Sequence, residues 1–131
     1  MALPHARPMD VINVAPLGAA LGGAVSTSLI KTDRLQLLHL VLRAHQDQPP
    51  HHVDEECTLH CLEGEVEVVT PGGTRHLSPG NVIVLPAREE HWLRARTDCA
   101  VLATLLLREG DAGDQGGAGA QTLTGEGKAS A

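Results

Sequence analysis

Short apolar runs alternate with polar turns along most of the chain, and no run sustains the spacing of an amphipathic helix. Polar and apolar residues alternate strictly in the segment Glu65-Val66-Glu67-Val68, which predicts a strand with one solvent-exposed face and one buried face. Glu63-Gly64 and Pro71-Gly72-Gly73 punctuate the runs and are typical of tight turns. Many short strands joined by such turns indicate an all-β sandwich or barrel.

The pattern also sets the order of the elements. Residues 16–24 are rich in Ala, Leu and Gly and predict one short N-terminal helical turn. Residues 44–51 form a polar loop that contains Pro49-Pro50. The predicted strands are 9–14, 27–31, 35–43, 58–62, 65–70, 74–77, 82–85, 91–96 and 100–107.

The composition changes sharply after residue 108. Glycine recurs through residues 109–131 among Asp, Gln, Ala and Ser, so this segment buries too little apolar surface to offset its ordering entropy. A chain of 131 residues suits one domain. We therefore predict a flexible N-terminus at 1–8, one β-barrel domain at 9–108 and a disordered Gly/Ala-rich tail at 109–131.

Charge and composition exclude several functional classes. The formal net charge is −6 without clustered Lys or Arg, which argues against nucleic acid as a partner. No apolar run is long enough for a signal peptide or a membrane span. Three cysteines without regular spacing do not form a disulfide framework. These features favour a cytoplasmic protein that binds neither nucleic acid nor membrane.

One segment near the C-terminal end of the predicted barrel resembles a known motif. Gly80, Pro86 and His91 match the second motif of the cupin superfamily, which is Gly, five residues, Pro-x-Gly, two residues and His. Arg88 replaces the inner glycine of that motif and Ala95 its later asparagine. The resemblance covers residues 9–107 and implies a double-stranded β-helix, the jelly-roll barrel of RmlC-like cupins.

The first cupin motif is degraded in this chain. It reads Gly, five residues, His-x-His, three or four residues, Glu, six residues and Gly. Counting back from Gly64, the glutamate position falls on Cys57, and Glu56 stands one residue early. The position of the leading glycine holds His45. A complete site of three histidines and one glutamate is therefore absent from the sequence.

The His-x-His positions have two alternatives. They are His51 and Val53, or Pro50 and His52, depending on the length of the loop. Neither alternative supplies both histidines. Successive side chains of a strand point to opposite faces, so both histidines face the pocket only if this stretch is a loop. Strand parity leaves the choice between His51 and His52 open.

The resemblance implies candidate ligands and pocket residues. His and Cys donors suit one divalent transition metal ion, Fe, Zn, Ni or Mn, and absence of a metal is the alternative. Glu56 and Cys57 cannot both face inward on one regular strand. The candidate metal ligands are His52, His91 and Cys57, and the candidate pocket residues are His51, Glu56 and Trp92, the single aromatic residue.

The sequence leaves three possible functions open. The degraded motif favours a small-molecule-binding β-barrel module with an incomplete metal site. The alternative is a metal-dependent dioxygenase or isomerase that acts on a small polar, thiol or phenolic substrate. A packed structural dimer is the third, and in each case the resemblance implies a homodimer. The apolar runs 35–42 and 99–107 would supply its interface.

Overall fold

A computed structural model describes residues 5–108 of the chain. Residues 1–4 and the tail predicted at 109–131 lie outside the described residues, so the predicted domain boundaries stay a prediction. Between them the chain forms one short 3₁₀ helix, Gly18–Gly23, and eight strands. The strands are β1 (Thr27–Lys31), β2 (Leu35–Leu42), β3 (Cys57–Glu63), β4 (Val66–Thr70), β5 (Gly73–Leu77), β6 (Val82–Leu85), β7 (Trp92–Ala95) and β8 (Cys99–Leu106).

Two antiparallel sheets face each other. The larger has the order β1-β2-β8-β3-β6, so the last strand lies between β2 and β3. The smaller has the order β5-β4-β7. Residues 45–51, which we call the strap, continue it through bridges at Asp47–Arg94 and His51–His91. The predicted all-β jelly-roll architecture is confirmed.

A single core cluster fills the space between the sheets. Its side chains are aliphatic apart from three cysteine thiols, as expected of a chain without Phe or Tyr. Val66 and Val68 are fully buried while Glu67 between them is not, which confirms the predicted alternation in β4. Burial of one face of each strand supplies most of the driving force for closing the two sheets.

The first predicted strand, 9–14, is wrong. This segment is irregular, and the side chains of Met9 and Val11 are 96% and 98% exposed. A turn bonds the Asp10 amide to the Arg7 carbonyl, and Met9 has a φ of 81°. Ile12 and Val14 are partly buried, but the segment has no partner strand within the described residues, so the pattern alone cannot make a strand.

The predicted helical turn at 16–24 is confirmed, and a carboxylate from β3 fixes its start. Glu63 accepts the amide N–H groups of Leu17 and Gly18 at 2.7 and 3.1 Å. The first amides of a helix have no partner inside it, so an acceptor from elsewhere in the fold satisfies them.

A guanidinium group fixes the end of the same helix. Arg43 follows β2 and donates to the carbonyl oxygens of Leu21 and Ala24 at 3.1 and 2.7 Å. Opposite charges therefore hold the two ends of the helix, each with the sign that its backbone groups favour. Leu21 is buried, which anchors the N-terminal segment to the barrel. Within residues 5–108 no helix has the length and apolar character needed to cross a membrane.

Candidate functional site

An enclosed cavity lies between the two sheets beside the strap. Its volume is about 10 Å³, which is room for about one water molecule. Most of its lining is aliphatic. The polar groups that reach it come from Gln48 and His51 of the strap, Cys57 of β3 and His91 just before β7. An apolar chamber with a few converging polar groups is the usual form of a binding site.

His51 and His91 form a pair at one side of the cavity. Their backbones exchange two hydrogen bonds, of 3.0 Å from the His51 amide and 2.8 Å from the His91 amide. Their imidazole centroids are 4.5 Å apart, with the planes tilted by 55°. His91 is 3% exposed whereas His51 is half-buried, so the pair lies at the boundary between the cavity and solvent.

The protonation of His91 follows from its surroundings. Its Nδ1 lies 3.0 Å from the Glu89 carbonyl oxygen, and a carbonyl can only accept, so Nδ1 carries the proton. Nε2 of the neutral ring is then left with a lone pair. Burial lowers the pKa of His91 below 6.5, although the Glu89 carbonyl and charge oppose the shift. The ring is therefore neutral at pH 7.

Cys57 and Gln48 complete the polar lining. Burial raises the pKa of Cys57 to about 11, so the group is a protonated thiol at neutral pH. The side-chain oxygen of Gln48 is buried and has no hydrogen-bond partner within residues 5–108. A buried acceptor in this state favours a donor brought by water or by a ligand.

A wider groove lies on the outer face of the smaller sheet. It has a volume of about 370 Å³ and is open to solvent. Arg94 lies 3.4 Å from Asp47 and 3.6 Å from Glu67, and Arg96 lies 3.0 Å from Glu67. These charges neutralise one another, as on a solvated sheet face. The enclosed cavity is therefore the better candidate site.

Comparison with known proteins agrees with the fold. The family model for the cupin domain matches residues 38–106, more than half of the chain. The chain belongs to the cupin family. Its sequence is also 32% identical over 77 residues to L-ectoine synthase of Hahella chejuensis. That alignment covers 56% of this cupin and 58% of the synthase, so the chain spans a little over half of that relative's length.

Solved cupin structures superpose on most of the barrel. A cupin superfamily protein of Desulfitobacterium hafniense has a TM-score of 0.65 at 18% identity, over 79% of this chain and 100% of that one. An RmlC-like cupin of Desulfovibrio desulfuricans has a TM-score of 0.56 at 30% identity, over 61% and 78% of the two chains. At 18% identity, the likeness to the Desulfitobacterium hafniense protein concerns the fold alone.

The backbone of this cupin keeps the shape of both motifs where their glycines are replaced. His45 and Arg88 have φ values of 68° and 64°, in the left-handed region that favours glycine. The left-handed turn at His45 coincides with the leading glycine of one motif alignment. In that alignment His51 and Val53 are the His-x-His positions. Both side chains line the cavity.

The predicted site residues therefore divide into two groups. His51, His91 and Cys57 meet at the cavity. His52 and Glu56 are exposed, Trp92 is half-buried, and none of these three lines it. Sequence reasoning did not select Gln48, because only the pairing of the strap with β7 brings that side chain inward.

The donors present do not fit the metal centre that the cupin resemblance implies. Within residues 5–108 no three His, Cys, Asp or Glu side chains form a group able to hold a metal ion. Two of the motif positions hold imidazoles, the third holds a thiol, and Val53 has no donor atom. Protein metal sites ordinarily use three or four protein ligands, so we assign no metal-dependent step.

Proposed function

We propose that this cupin binds a small molecule at its paired imidazoles and does so without a metal ion. The observation that carries the proposal is the contact of His51 with His91 at the edge of an otherwise aliphatic, enclosed cavity. A polar pair beside an apolar chamber provides orientation and burial for one small ligand.

The polar groups favour a ligand that donates hydrogen bonds. Nε2 of His91 and the side-chain oxygen of Gln48 are both acceptors. A hydroxyl or phenol would satisfy one of them while its hydrocarbon part contacts Val53 and the aliphatic lining. A carboxylate offers no donor and is disfavoured. The ligand class is therefore small alcohols and phenols.

A ligand larger than water requires the strap to move, because the cavity holds only about 10 Å³. Backbone hydrogen bonds tie the strap to β7, from the His45 amide to the Ala95 carbonyl at 2.8 Å and from the Gln48 amide to the Leu93 carbonyl at 3.0 Å. Partial release of these bonds would widen the chamber without disturbing the core. Because the strap must move first, we expect the ligand to associate slowly.

Imidazole NMR tests this proposal directly. Phenol is titrated into ¹⁵N-labelled protein in the presence of EDTA, and long-range ¹H–¹⁵N spectra report each histidine ring. We expect the His51 and His91 signals to move together while the exposed His52 signal stays fixed. His91→Ala should abolish binding, and His52→Ala is the matched control. Unchanged His51 and His91 signals with phenol, catechol and benzyl alcohol would refute the proposal.

An enzymatic role is the second candidate, and the relationship to L-ectoine synthase favours it. The same imidazole pair would then contact a small polar, thiol or phenolic substrate. Turnover is measured by mass spectrometry of substrate mixtures, with oxygen consumption recorded in parallel with and without added Fe²⁺. Turnover that His91→Ala abolishes and His52→Ala retains would support the enzyme.

We propose, in addition, that two copies of this cupin pair through the outer face of the larger sheet. Its outward positions on β6 and β8 carry no formal charge, and Val82 and Val84 are each 59% exposed. Because the chain has a net charge of −6, an uncharged face allows two copies to approach with least repulsion.

Sedimentation velocity tests the pairing. We expect a dimer for the wild type and a monomer for Val84→Lys, since a lysine would place an unpaired charge in the contact. Val25→Lys is the matched control, because Val25 is equally apolar and also exposed but lies before β1. A monomeric wild-type protein, or a Val84→Lys variant that still dimerises, would exclude this face.

A further inference from the structure

Four positions of the two cupin motifs converge on the cavity in this chain. His51, at the end of the strap, and Val53, two residues later, both line it. Cys57 reaches it from the inner face of β3, and His91 from the start of β7. These are the two His-x-His positions, the glutamate position and the second-motif histidine. Two of the four no longer carry the residue that the motif specifies.

We infer that this cavity retains the backbone of a metal centre but not its donors: the wild-type chain holds no transition metal ion there, and Val53→His with Cys57→Glu creates a site. The inference deepens the proposed metal-free binding by naming the two positions responsible. Within residues 5–108 no three donor side chains form a group able to hold a metal ion, and two imidazoles alone fall short of the three or four ligands that stable sites use.

The backbone around the cavity supports this inference. His45 and Arg88 hold left-handed conformations at the two motif positions where glycine is absent. The amide of Arg88 donates to the Val53 carbonyl at 2.9 Å, which joins the second motif to the first beside the cavity. The backbone therefore brings the four positions together although five motif residues are replaced.

One remaining histidine is already oriented as a ligand. His91 donates through Nδ1 to the Glu89 carbonyl at 3.0 Å and keeps Nε2 as the lone-pair nitrogen. Metal-binding histidines commonly have such a backbone partner, which fixes their tautomer and ring orientation. The imidazole absent at position 53 and the carboxylate absent at position 57 then separate this cavity from the metal site that the two motifs describe.

The test is a Co²⁺ titration followed by visible absorption, with elemental analysis after dialysis. We expect the double variant Val53→His/Cys57→Glu to retain about one Co²⁺ per chain. Its affinity should exceed that of the wild type by more than the roughly 10–100-fold that an outer-shell partner contributes. The control Asp54→His/Cys57→Glu places the imidazole at the neighbouring exposed position and should bind Co²⁺ no more tightly than Cys57→Glu alone.

Two results would overturn the inference. One is a wild-type protein that keeps stoichiometric Co²⁺ through dialysis. The other is a folded double variant that binds no better than the control. If the double variant does not fold, the single variants decide, because each adds one donor and should bind more tightly than the wild type. Phenol binding is measured with EDTA present, so failure of the proposed function is seen separately from failure of this inference.

Discussion

Replacement of Gly64 by alanine tests a close approach between the backbone after β3 and the start of β8. Gly64 follows β3 with a φ of 79°, and an added Cβ would lie 2.1 Å from the Asp98 carbonyl oxygen and 2.7 Å from Cα and Cβ of Cys99. Gly80 provides a matched control, since its φ is 92° and nothing lies within 4 Å of its added Cβ. The two substitutions differ chiefly in this steric contact.

The expected magnitudes follow from the two environments. A left-handed backbone costs a residue other than glycine roughly 1–2 kcal/mol at either position. At Gly64 the obstructing atoms belong mainly to the backbone, so β3 and β8 must move apart, and overpacking adds about 1–3 kcal/mol. Gly64→Ala should therefore lose about 2–5 kcal/mol and Gly80→Ala about 1–2 kcal/mol. Loss of glycine entropy in the unfolded chain affects both alike.

Urea unfolding followed by circular dichroism measures both variants against the wild type. Equal m values would show that the denatured states are comparable, and the difference in free energy of unfolding can then be read directly. A small domain stable by about 5–15 kcal/mol would still fold with either substitution unless its stability lies near the lower limit. Equal losses at the two positions would refute the reasoning from close approach.

Three further predictions concern backbone strain, the start of the 3₁₀ helix and the stability of the protein at low pH. His45→Gly or Arg88→Gly should raise the free energy of unfolding by about 1 kcal/mol, because each removes a left-handed strain; a loss in urea unfolding would contradict this. Glu63→Ala should cost about 1–3 kcal/mol and speed thermolysin cleavage before Leu21, because two amides at the start of the helix lose their acceptor; unchanged cleavage would contradict it. Burial lowers the pKa of His39 and His91 below 6.5, so their contribution to stability is complete above pH 6.5 and is lost as pH falls. Wild type should therefore unfold at lower urea at pH 5.5 than at pH 7.5, and His39→Gln should reduce that difference.

Most of the fold could be predicted from the sequence because burial and turns agree locally. The strands at 27–31 and 82–85 match their predicted bounds, and others differ by a residue or so at their ends. The exception at 9–14 has apolar residues but no partner strand within the described residues. Strand formation depends on a partner, and the sequence does not show which segments lie at the rim of a sheet.

The candidate site was harder to predict, because its geometry depends on a left-handed turn that no glycine marks in the sequence. A glycine at position 45 would have marked the left-handed turn, but His45 adopts that conformation without the marker. The choice between His51 and His52 depends on this turn. The inward position of Gln48 depends in turn on hydrogen bonds to β7, which are distant in sequence.

The central place of β8 in the larger sheet has a consequence for the newly made protein. β2 and β3 are synthesised well before their shared neighbour, so the sheet stays in two pieces until the final strand emerges from the ribosome. Strands that pair across a long stretch of sequence fold slowly, and their unpaired apolar edges stay exposed until the partner strand arrives. A chain cut before residue 99 would lack the strand that joins the two pieces, and nascent chains paused there are the form most in need of a chaperone.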